Sequence, residues 1–255
     1  MAEPLLVIDR VSKRFGGLLA LDTISFVVEE DEIVGLVGPN GAGKTTLFNV
    51  ISGASPPSEG DIRLAGSSVV GLQPNEIVNR GLARTFQNTS LFANETVLEN
   101  VFRGAFSRAR FGLTDFFVRG ASYRRREHEI GSHAFEILRL VGLEAHAATI
   151  AHNLSYGNQK RLGVAIALAS EPSLLILDEP AAGLNPVEAE QIADVLRRVQ
   201  ADRKLSIVLV EHNMRMVMGL CQRIVVLNYG KKIADASPAE VRKDEHVLNA
   251  YLGTE

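Results

Sequence analysis

The chain has 255 residues, of which 46% are hydrophobic and 22% charged, as in an ordinary globular protein with a sizeable core. Its formal net charge of -3 provides no basic footprint for nucleic acid, so we expect no nucleic-acid partner. A single cysteine, Cys221, excludes an intrachain disulfide. We expect neither a signal peptide nor a membrane span, because the sequence has no basic region followed by an apolar core and no long uncharged apolar run.

Short runs rich in Val and Ile predict β-strands towards both ends of the chain. The first are LLVIDR, ISFVVEE and EIVGLVG, and the later ones are LLILDEP, SIVLVEH and IVVLNYG. The later runs are apolar at nearly every position, as in parallel strands that helices cover on both faces. Helices are predicted at KTTLFNVIS and PVEAEQIADVLRRVQADR. The alternation of strands and helices predicts an α/β fold with a mainly parallel core sheet.

The strand pattern disappears between about residues 91 and 151. Within this region Ile130, Ala134, Leu138 and Val141 share one helical face, which predicts a helical lobe. Its segment 105–129 mixes aromatic side chains with the most basic stretch of the chain. This segment is either a solvated surface or a docking surface for lipid headgroups or for a cytoplasmic loop of a partner.

A glycine-rich loop joins the strand EIVGLVG to the helix KTTLFNVIS and matches the phosphate-loop pattern G-x-x-x-x-G-K-[ST]. Glycine backbones allow consecutive N–H groups to point at phosphate oxygens. Lys44 is predicted to contact the β- and γ-phosphates of ATP, and the Thr45 hydroxyl to bind Mg²⁺. The predicted nucleotide-binding loop comprises Gly38, Pro39, Asn40, Gly41, Ala42, Gly43, Lys44, Thr45 and Thr46.

Two adjacent carboxylates lie at the end of the apolar strand LLILD, of which Asp178 is the last residue and which Glu179 follows directly. A carboxylate at such a strand end, beside a phosphate loop, is in the place of a metal-binding residue. We therefore predict that Asp178 holds Mg²⁺ through a water molecule and that Glu179 activates the water that attacks the γ-phosphate. The alternative is a turn with solvated charges.

Further motifs occur in the order found in ABC transporter ATPases, and they cover nearly the whole chain. LSYGNQKR resembles the LSGGQ signature, RTFQ resembles the Q-loop, AAGLNP stands in the D-loop place, and VEHNM resembles the switch-histidine segment. The chain therefore resembles an ABC ATPase, an ATP hydrolase with the P-loop NTPase fold. The resemblance implies an N-terminal antiparallel β region and a helical lobe beside the parallel core sheet.

The same resemblance implies a single ABC ATPase domain, within which residues 1–90 and 160–240 form the core with its N-terminal β subdomain. Residues 91–159 would form the helical signature subdomain, and residues 241–255 a C-terminal helix.

The resemblance also implies roles for residues outside the phosphate loop. Phe15 would stack on adenine, Gln87 would contact the metal or the lytic water, and His212 would contact the γ-phosphate. Ser155 and the Gly157 backbone would meet ATP held by the opposite subunit of a head-to-tail dimer. Ser155 is in addition predicted to cap the helix that follows it. Phe15 has an alternative role as a core residue, and Gln87 as an ordinary polar loop residue.

The sequence departs from the general family pattern at Tyr156, Asn158 and Asn185. Asn158 is one methylene shorter than the usual glutamine and is predicted to fall short of a reciprocal helix cap. Tyr156 and AAGLNP, with RFGGLLALD, GLARTFQNTSLF and the closing AYLG, resemble the ATP-binding subunits of branched-chain amino acid importers.

For an importer, the resemblance implies two transmembrane permeases, a second ATP-binding subunit that is either a copy of this chain or a homologue, and an external solute-binding protein. It also implies a peripheral location at the cytoplasmic face of the cell membrane. Three other classes remain open, namely the ATPase of a lipopolysaccharide-extracting transporter, a soluble ABC protein of DNA repair or translation, and a small-molecule P-loop kinase.

Overall fold

The computed structural model describes residues 3–85, 91–106 and 121–252. Over these residues the chain forms two β-sheets and a helical lobe. The strands are β1 (Leu6–Phe15), β2 (Leu18–Val28), β3 (Ile33–Val37), β4 (Glu59–Leu64), β5 (Ser67–Ser68), β6 (Leu82–Thr85), β7 (Leu174–Asp178), β8 (Ser206–Val210), β9 (Arg223–Asn228) and β10 (Lys231–Ala236). The α-helices are α1 (Lys44–Ile51), α2 (Pro74–Asn79), α3 (Val97–Phe106), α4 (Ala121–Val141), α5 (Tyr156–Leu168), α6 (Pro186–Arg203), α7 (Met214–Leu220), α8 (Pro238–Val241) and α9 (Glu245–Leu252).

The core sheet of the described chain has six strands in the order β10-β9-β3-β8-β7-β6. All neighbours pair in parallel except β9 and β10, which form an antiparallel hairpin. Every residue of β3, β7 and β8 is buried, which explains their continuous apolar sequences. The carboxyl ends of these three strands meet at one edge of the sheet, where open α/β folds bind ligands.

The N-terminal region forms an antiparallel sheet of four described strands in the order β2-β1-β4-β5. Arg223, at the start of β9, connects this region to the core sheet. Its guanidinium contacts Glu32 Oε1 at 2.7 Å and Asp235 Oδ1 at 2.7 Å, and it also donates to the Val27 carbonyl. These contacts raise the pKa of Arg223 above its ordinary value, with the Glu32 hydrogen bond as the largest cause.

The helical lobe packs α3, α4 and α5 against each other. The predicted apolar face of α4 is confirmed, because Ala134, Leu138 and Val141 are fully buried and Ile130 packs against the same core. Residues 107–120 of the basic segment lie outside the described residues. Helix α5 runs without a break through the predicted boundary between residues 159 and 160, and the division of the chain into subdomains remains a proposal.

The predicted fold class is confirmed, although strands β4, β5, β6 and β10 were not predicted. Strands β4 and β10 have the sequences EGDIRL and KKIADA, whose polar residues hide the strand pattern. Both lie outside the buried centre of the core sheet, where a strand needs few apolar residues. No helix among residues 3–85, 91–106 and 121–252 is long and apolar enough to cross a membrane.

Candidate nucleotide site

The glycine-rich loop follows β3 directly and ends where α1 begins, at Lys44. A side chain at Gly38 would place its Cβ 2.1 Å from the Leu227 carbonyl oxygen, so only glycine fits there. Gly43 has φ 101° and would place a Cβ 2.8 Å from the Ala20 carbonyl oxygen. The packing of β2 and β9 therefore requires glycine at both positions of the predicted pattern.

Lys44 is buried within the loop, and its ammonium donates to the carbonyl oxygens of Gly38 at 2.7 Å and Pro39 at 2.9 Å. Burial lowers the pKa of Lys44, while the charges of Glu179 and Asp178 act in the opposite direction. Within the described part of the chain this partly desolvated cation is hydrogen-bonded to neutral carbonyls, and such a cation is suited to bind an anion. The loop therefore presents a positive charge beside the helix N-terminus.

The loop borders an open cavity of about 510 Å³. Phe15, at the end of β1, lines this cavity and is 52% exposed, which argues against the alternative role in the core. The carboxylate Glu179 and the imidazole of His212 reach the same cavity from other strands. The lining residues are Phe15, Leu18, Leu19, Ala20, Asn40, Gly41, Ala42, Gly43, Lys44, Thr45, Thr46, Glu179, His212, Tyr229 and Gly230.

Asp178, the last residue of β7, is 7% exposed and pairs with a buried arginine. Arg84 Nη2, from β6, lies 3.1 Å from Asp178 Oδ2. The other end of the guanidinium donates from Nη1 to Asn49 Oδ1 on α1 at 2.8 Å and to Ser52 Oγ, at the C-terminal cap of that helix, at 3.0 Å. Arg84 thus fixes the predicted metal-binding carboxylate relative to the helix that follows the phosphate loop.

Glu179 and His212 are in contact, with 3.0 Å between Glu179 Oε1 and His212 Nε2. Asp178 pairs with Val210 in the sheet, so the residues that follow β7 and β8 lie side by side. Glu179 has φ 51°, a left-handed conformation that is costly for a side-chain-bearing residue. The structure therefore places the two residues with predicted roles in hydrolysis together, at one wall of the cavity.

Sequence reasoning missed Glu211, which is 3% exposed and holds two loops together. Its carboxylate accepts from the backbone N–H of Ala181 at 2.6 Å, of His212 at 3.2 Å and of Asn213 at 3.4 Å. Burial raises the pKa of Glu211, these backbone donors lower it, and the nearby charge of Glu179 raises it further. The one feature of the sequence that could have pointed to a role for Glu211 is its position directly before His212.

The signature segment begins helix α5, and Ser155 caps it as predicted. Ser155 Oγ accepts from the Asn158 backbone N–H at 3.3 Å. The hydrogen bonds described for this helix turn include no reciprocal bond from the Asn158 side chain, in agreement with the expectation that asparagine is too short.

The signature segment also contacts the D-loop and the first turn of α6 in the same chain. A Cβ at Gly183 would lie 3.1 Å from the Tyr156 ring, and a Cβ at Gly157 would lie 3.2 Å from Glu188 Oε1. Asn185 caps α6, because its Oδ1 accepts from the Val187 N–H at 2.9 Å and the Glu188 N–H at 3.0 Å. Asparagine and aspartate are equally good caps, so the departure at Asn185 retains this function.

The residues around the phosphate loop fit a hydrated Mg²⁺ ion bound to nucleotide. Mg²⁺ takes oxygen ligands and is held by one or two side chains together with phosphates and water. Thr45 is exposed to the cavity, and Asp178 supplies a carboxylate at the adjoining strand end. Residues 3–85, 91–106 and 121–252 contain no group of three or more His, Cys, Asp or Glu side chains placed to hold a metal ion by themselves. Gln87, the other predicted metal contact, lies outside the described residues.

Comparison with known proteins supports the motifs at the level of the whole chain. A sequence model of the family described as ABC transporter matches residues 21–182. The chain belongs to the ABC transporter ATP-binding family. This membership excludes the small-molecule P-loop kinase, one of the three alternative classes that the sequence left open.

Relatives within the ABC family are similar over the full length of the chain. The "High-affinity branched-chain amino acid transport ATP-binding protein LivG" of Salmonella typhimurium is 40% identical over 253 residues, 99% of each chain. The corresponding protein BraF of Pseudomonas aeruginosa is 38% identical over 253 residues, again 99% of each chain. A second family model, described as "Branched-chain amino acid ATP-binding cassette transporter", matches residues 231–255.

Solved ABC cassettes share the fold. The ADP conformation of MJ1267, an ATP-binding cassette of an ABC transporter, aligns with a TM-score of 0.86 and 28% identity, covering 99% of this chain and 100% of that one. A dimeric post-hydrolysis state of the cassette MJ0796, bound to ADP and Pi, aligns with a TM-score of 0.76 and 25% identity, covering 91% of this chain and 98% of that one. This ABC ATPase therefore has the P-loop NTPase fold and binds nucleotide.

Proposed function

We propose that this ABC ATPase is the ATP-binding and hydrolysing subunit of an importer for branched-chain amino acids. The observation that carries the proposal is the match of residues 231–255 to the branched-chain amino acid family model, in a chain whose full-length relatives have that named function. These findings favour this function over lipopolysaccharide extraction.

ATP would bind with its phosphates on the glycine-rich loop. Lys44 is already buried there beside the start of α1, and its ammonium would exchange the carbonyls of Gly38 and Pro39 for phosphate oxygens. The Thr45 hydroxyl and, through water, the Asp178 carboxylate would hold Mg²⁺, which would neutralise phosphate charge there. The contact between Arg84 and Asp178 would keep that carboxylate in place.

Glu179 would act as the general base in hydrolysis. It would accept a proton from water as the water oxygen bonds to the γ-phosphorus and the bond from that phosphorus to the β,γ-bridging oxygen breaks. His212 lies 3.0 Å from Glu179 and would orient this carboxylate and contact the γ-phosphate. Gln87 would contribute to the same centre, as the family resemblance implies.

Two ATPase subunits would enclose the nucleotide head to tail. Ser155 and Gly157 do not line the cavity beside their own chain's phosphate loop, so they and the N-terminus of α5 would contact ATP bound to the opposite subunit. The contacts of Tyr156 with Gly183 and of Gly157 with Glu188 would transmit a displacement of the signature to the D-loop. The second subunit is either another copy of this chain or a homologue.

Movement of the ATPase subunits would drive a conformational change in two transmembrane permeases. This chain would be bound peripherally to them at the cytoplasmic face of the membrane, and a solute-binding protein would act on the opposite face. A groove of about 720 Å³ on the helical lobe is suited to a permease loop, because Phe92 and Phe102 offer apolar surface beside the charged Glu95 and Arg103. Arg103 pairs with Glu95 and lies over the Phe92 ring, which fixes the shape of this surface.

The proposal is tested by purifying the tagged chain from gently solubilised native membranes with a non-hydrolysable ATP analogue and identifying its partners by mass spectrometry. We expect two hydrophobic permeases and an ATP-binding subunit. Recovery of lipopolysaccharide-export permeases would contradict the assignment of substrate. Recovery of no membrane protein would contradict a function in transport.

A further inference from the structure

The turn between β9 and β10 carries an aromatic residue in a strained conformation. Tyr229 and Gly230 form the two-residue connection, with φ 45° and 76°. Turns with two positive φ values favour Asn-Gly, because a bulky side chain at the first position is disfavoured there. Tyrosine at position 229 therefore costs conformational free energy that asparagine would avoid.

The turn is held against the phosphate loop on one side and strand β2 on the other. The Gly230 N–H donates to the Ala42 carbonyl at 3.0 Å, and the Asp22 N–H donates to the Gly230 carbonyl at 2.8 Å. A Cβ at Gly230 would lie 2.7 Å from the Ala20 carbonyl oxygen. Because of these contacts the backbone cannot move away to relieve the strain at Tyr229.

Packing within the chain does not account for the tyrosine either. Tyr229 is 87% exposed, more than any other large hydrophobic residue among those that the structure describes. It lines the same cavity as Phe15 and the phosphate loop. Strained residues that persist in a fold are concentrated at ligand-binding sites, and an exposed aromatic ring at a cavity is a surface for a ligand to cover.

We propose that Tyr229 is a second aromatic contact for bound nucleotide and that, with Phe15, it holds the nucleoside part of ATP. The proposal rests on the nucleotide-binding function of this cavity. The phosphates of ATP would be bound by Lys44 and the loop amides, and an uncharged tyrosine is not suited to bind them. Its ring offers an aromatic face and its hydroxyl a hydrogen-bonding group, and both suit a base or ribose.

The test compares Tyr229→Asn and Tyr229→Phe with the wild-type chain. Isothermal titration calorimetry measures binding of Mg·ATP and of inorganic tripolyphosphate with Mg²⁺, and thermal unfolding measures stability. The matched control is Lys204→Asn, because Lys204 is exposed, has φ 49° at the end of α6, and does not line the cavity. This control shows how removal of a strained left-handed side chain distant from the cavity changes nucleotide affinity and thermal stability.

Tyr229→Asn should raise the Kd for ATP by about 5- to 20-fold, as expected for loss of one base contact, and leave the Kd for tripolyphosphate unchanged. Its midpoint of thermal unfolding should rise by about 2 °C or more, as should that of Lys204→Asn, since both remove a left-handed bulky residue. Tyr229→Phe should retain ATP binding within about threefold, because it keeps the ring.

An unchanged Kd for ATP in Tyr229→Asn would overturn the inference and leave the nucleotide function intact. An equal loss of affinity for ATP and tripolyphosphate would also overturn it, because the effect would then lie in the phosphate loop. Equal affinity of the wild-type chain for tripolyphosphate and ATP would also overturn the inference, because the nucleoside would then contribute nothing to binding. A wild-type chain that binds neither would instead contradict the proposed function.

Discussion

His212 Nε2 lies 3.0 Å from Glu179 Oε1, although the two residues follow different strands of the core sheet. The pairing of Asp178 with Val210 sets this distance, because it fixes the register of β7 and β8 just before both residues. The carboxylate that would take a proton from water thus has a hydrogen-bonding partner before nucleotide arrives. Its orientation is set by the sheet, which is the most rigid part of the fold.

Glu179→Gln should abolish turnover and retain ATP binding. The amide keeps the shape of the side chain and cannot accept the proton, so kcat should fall by about 100- to 10,000-fold, the usual contribution of a general base. The Kd for ATP should change by less than about threefold, because phosphate binding resides in the loop around Lys44. Phosphate release and calorimetry measure the two quantities. A kcat within twofold of wild type would show that Glu179 is not the base.

Glu211→Gln should reduce kcat by about tenfold, equivalent to about 1.4 kcal/mol, with little change in ATP affinity. The reason is that the carboxylate accepts from Ala181 on one loop and from His212 and Asn213 on the other, whereas an amide has one acceptor oxygen and a donor group. Hydrogen exchange of the Ala181 amide should become faster. Glu190→Gln, an exposed residue of α6, serves as the control.

Glu211 should also give the stability of the protein a defined pH dependence. Its pKa is raised above the ordinary value of 4.5, mainly by burial, so the folded state binds the proton more tightly than the unfolded state. This contribution is fully present below pH 4.5 and is lost as the pH rises through the raised folded pKa. Urea unfolding of wild type and Glu211→Gln between pH 5 and 8 should therefore show the wild type losing stability relative to the variant. A constant difference would contradict the burial of the charge.

Arg84→Met should destabilise the chain because it leaves the Asp178 carboxylate buried beside α1 without its guanidinium. Removal of one partner of a buried ion pair costs about 3 to 5 kcal/mol, whereas removal of both costs much less. The double variant Arg84→Met, Asp178→Asn should therefore recover much of the loss in free energy of unfolding, measured in urea. Losses that simply add would mean that the 3.1 Å contact carries no coupling.

Cys221 should resist alkylation in the folded protein. It is 6% exposed, and burial raises its pKa to about 12, so the reactive thiolate is scarce at neutral pH. Relative to the chain unfolded in urea, we expect labelling by iodoacetamide to be slower by about 1000-fold. Rapid labelling without urea would indicate that the contact of α7 with the core sheet opens easily.

The site residues that lie at the ends of apolar strands could be predicted from the sequence. The glycine loop, Asp178, Glu179 and His212 each lie at or just after the end of a buried strand, and the unbroken apolar runs of such strands can be recognised in the sequence. The residues that hold these groups in place were not predictable in the same way. Arg84 is 94 positions from Asp178, and Glu211 is 30 positions from Ala181, so only the folded sheet brings them together.

The role proposed for Tyr229 could not be predicted from the sequence for a different reason. In the sequence, Tyr229 is one aromatic residue at the end of an apolar run. Its proposed role depends on its positive φ and on the hydrogen bonds that hold the neighbouring Gly230 to Ala42 and Asp22. The same applies to Asn185, whose departure from the usual aspartate becomes intelligible once its side chain is seen to cap α6. Turn conformation and capping are local, yet the elements that enforce them are distant in sequence.

The measurement that tests the central claim most directly is uptake of radiolabelled leucine by cells in which the only copy of this chain is wild type, Lys44→Ala or Glu179→Gln. We predict high-affinity leucine uptake with the wild-type chain and its loss with either variant, while uptake of ribose in the same cells is unchanged. Leucine uptake that persists undiminished in both variants would contradict the account, because import would then not depend on ATP bound and hydrolysed at this site.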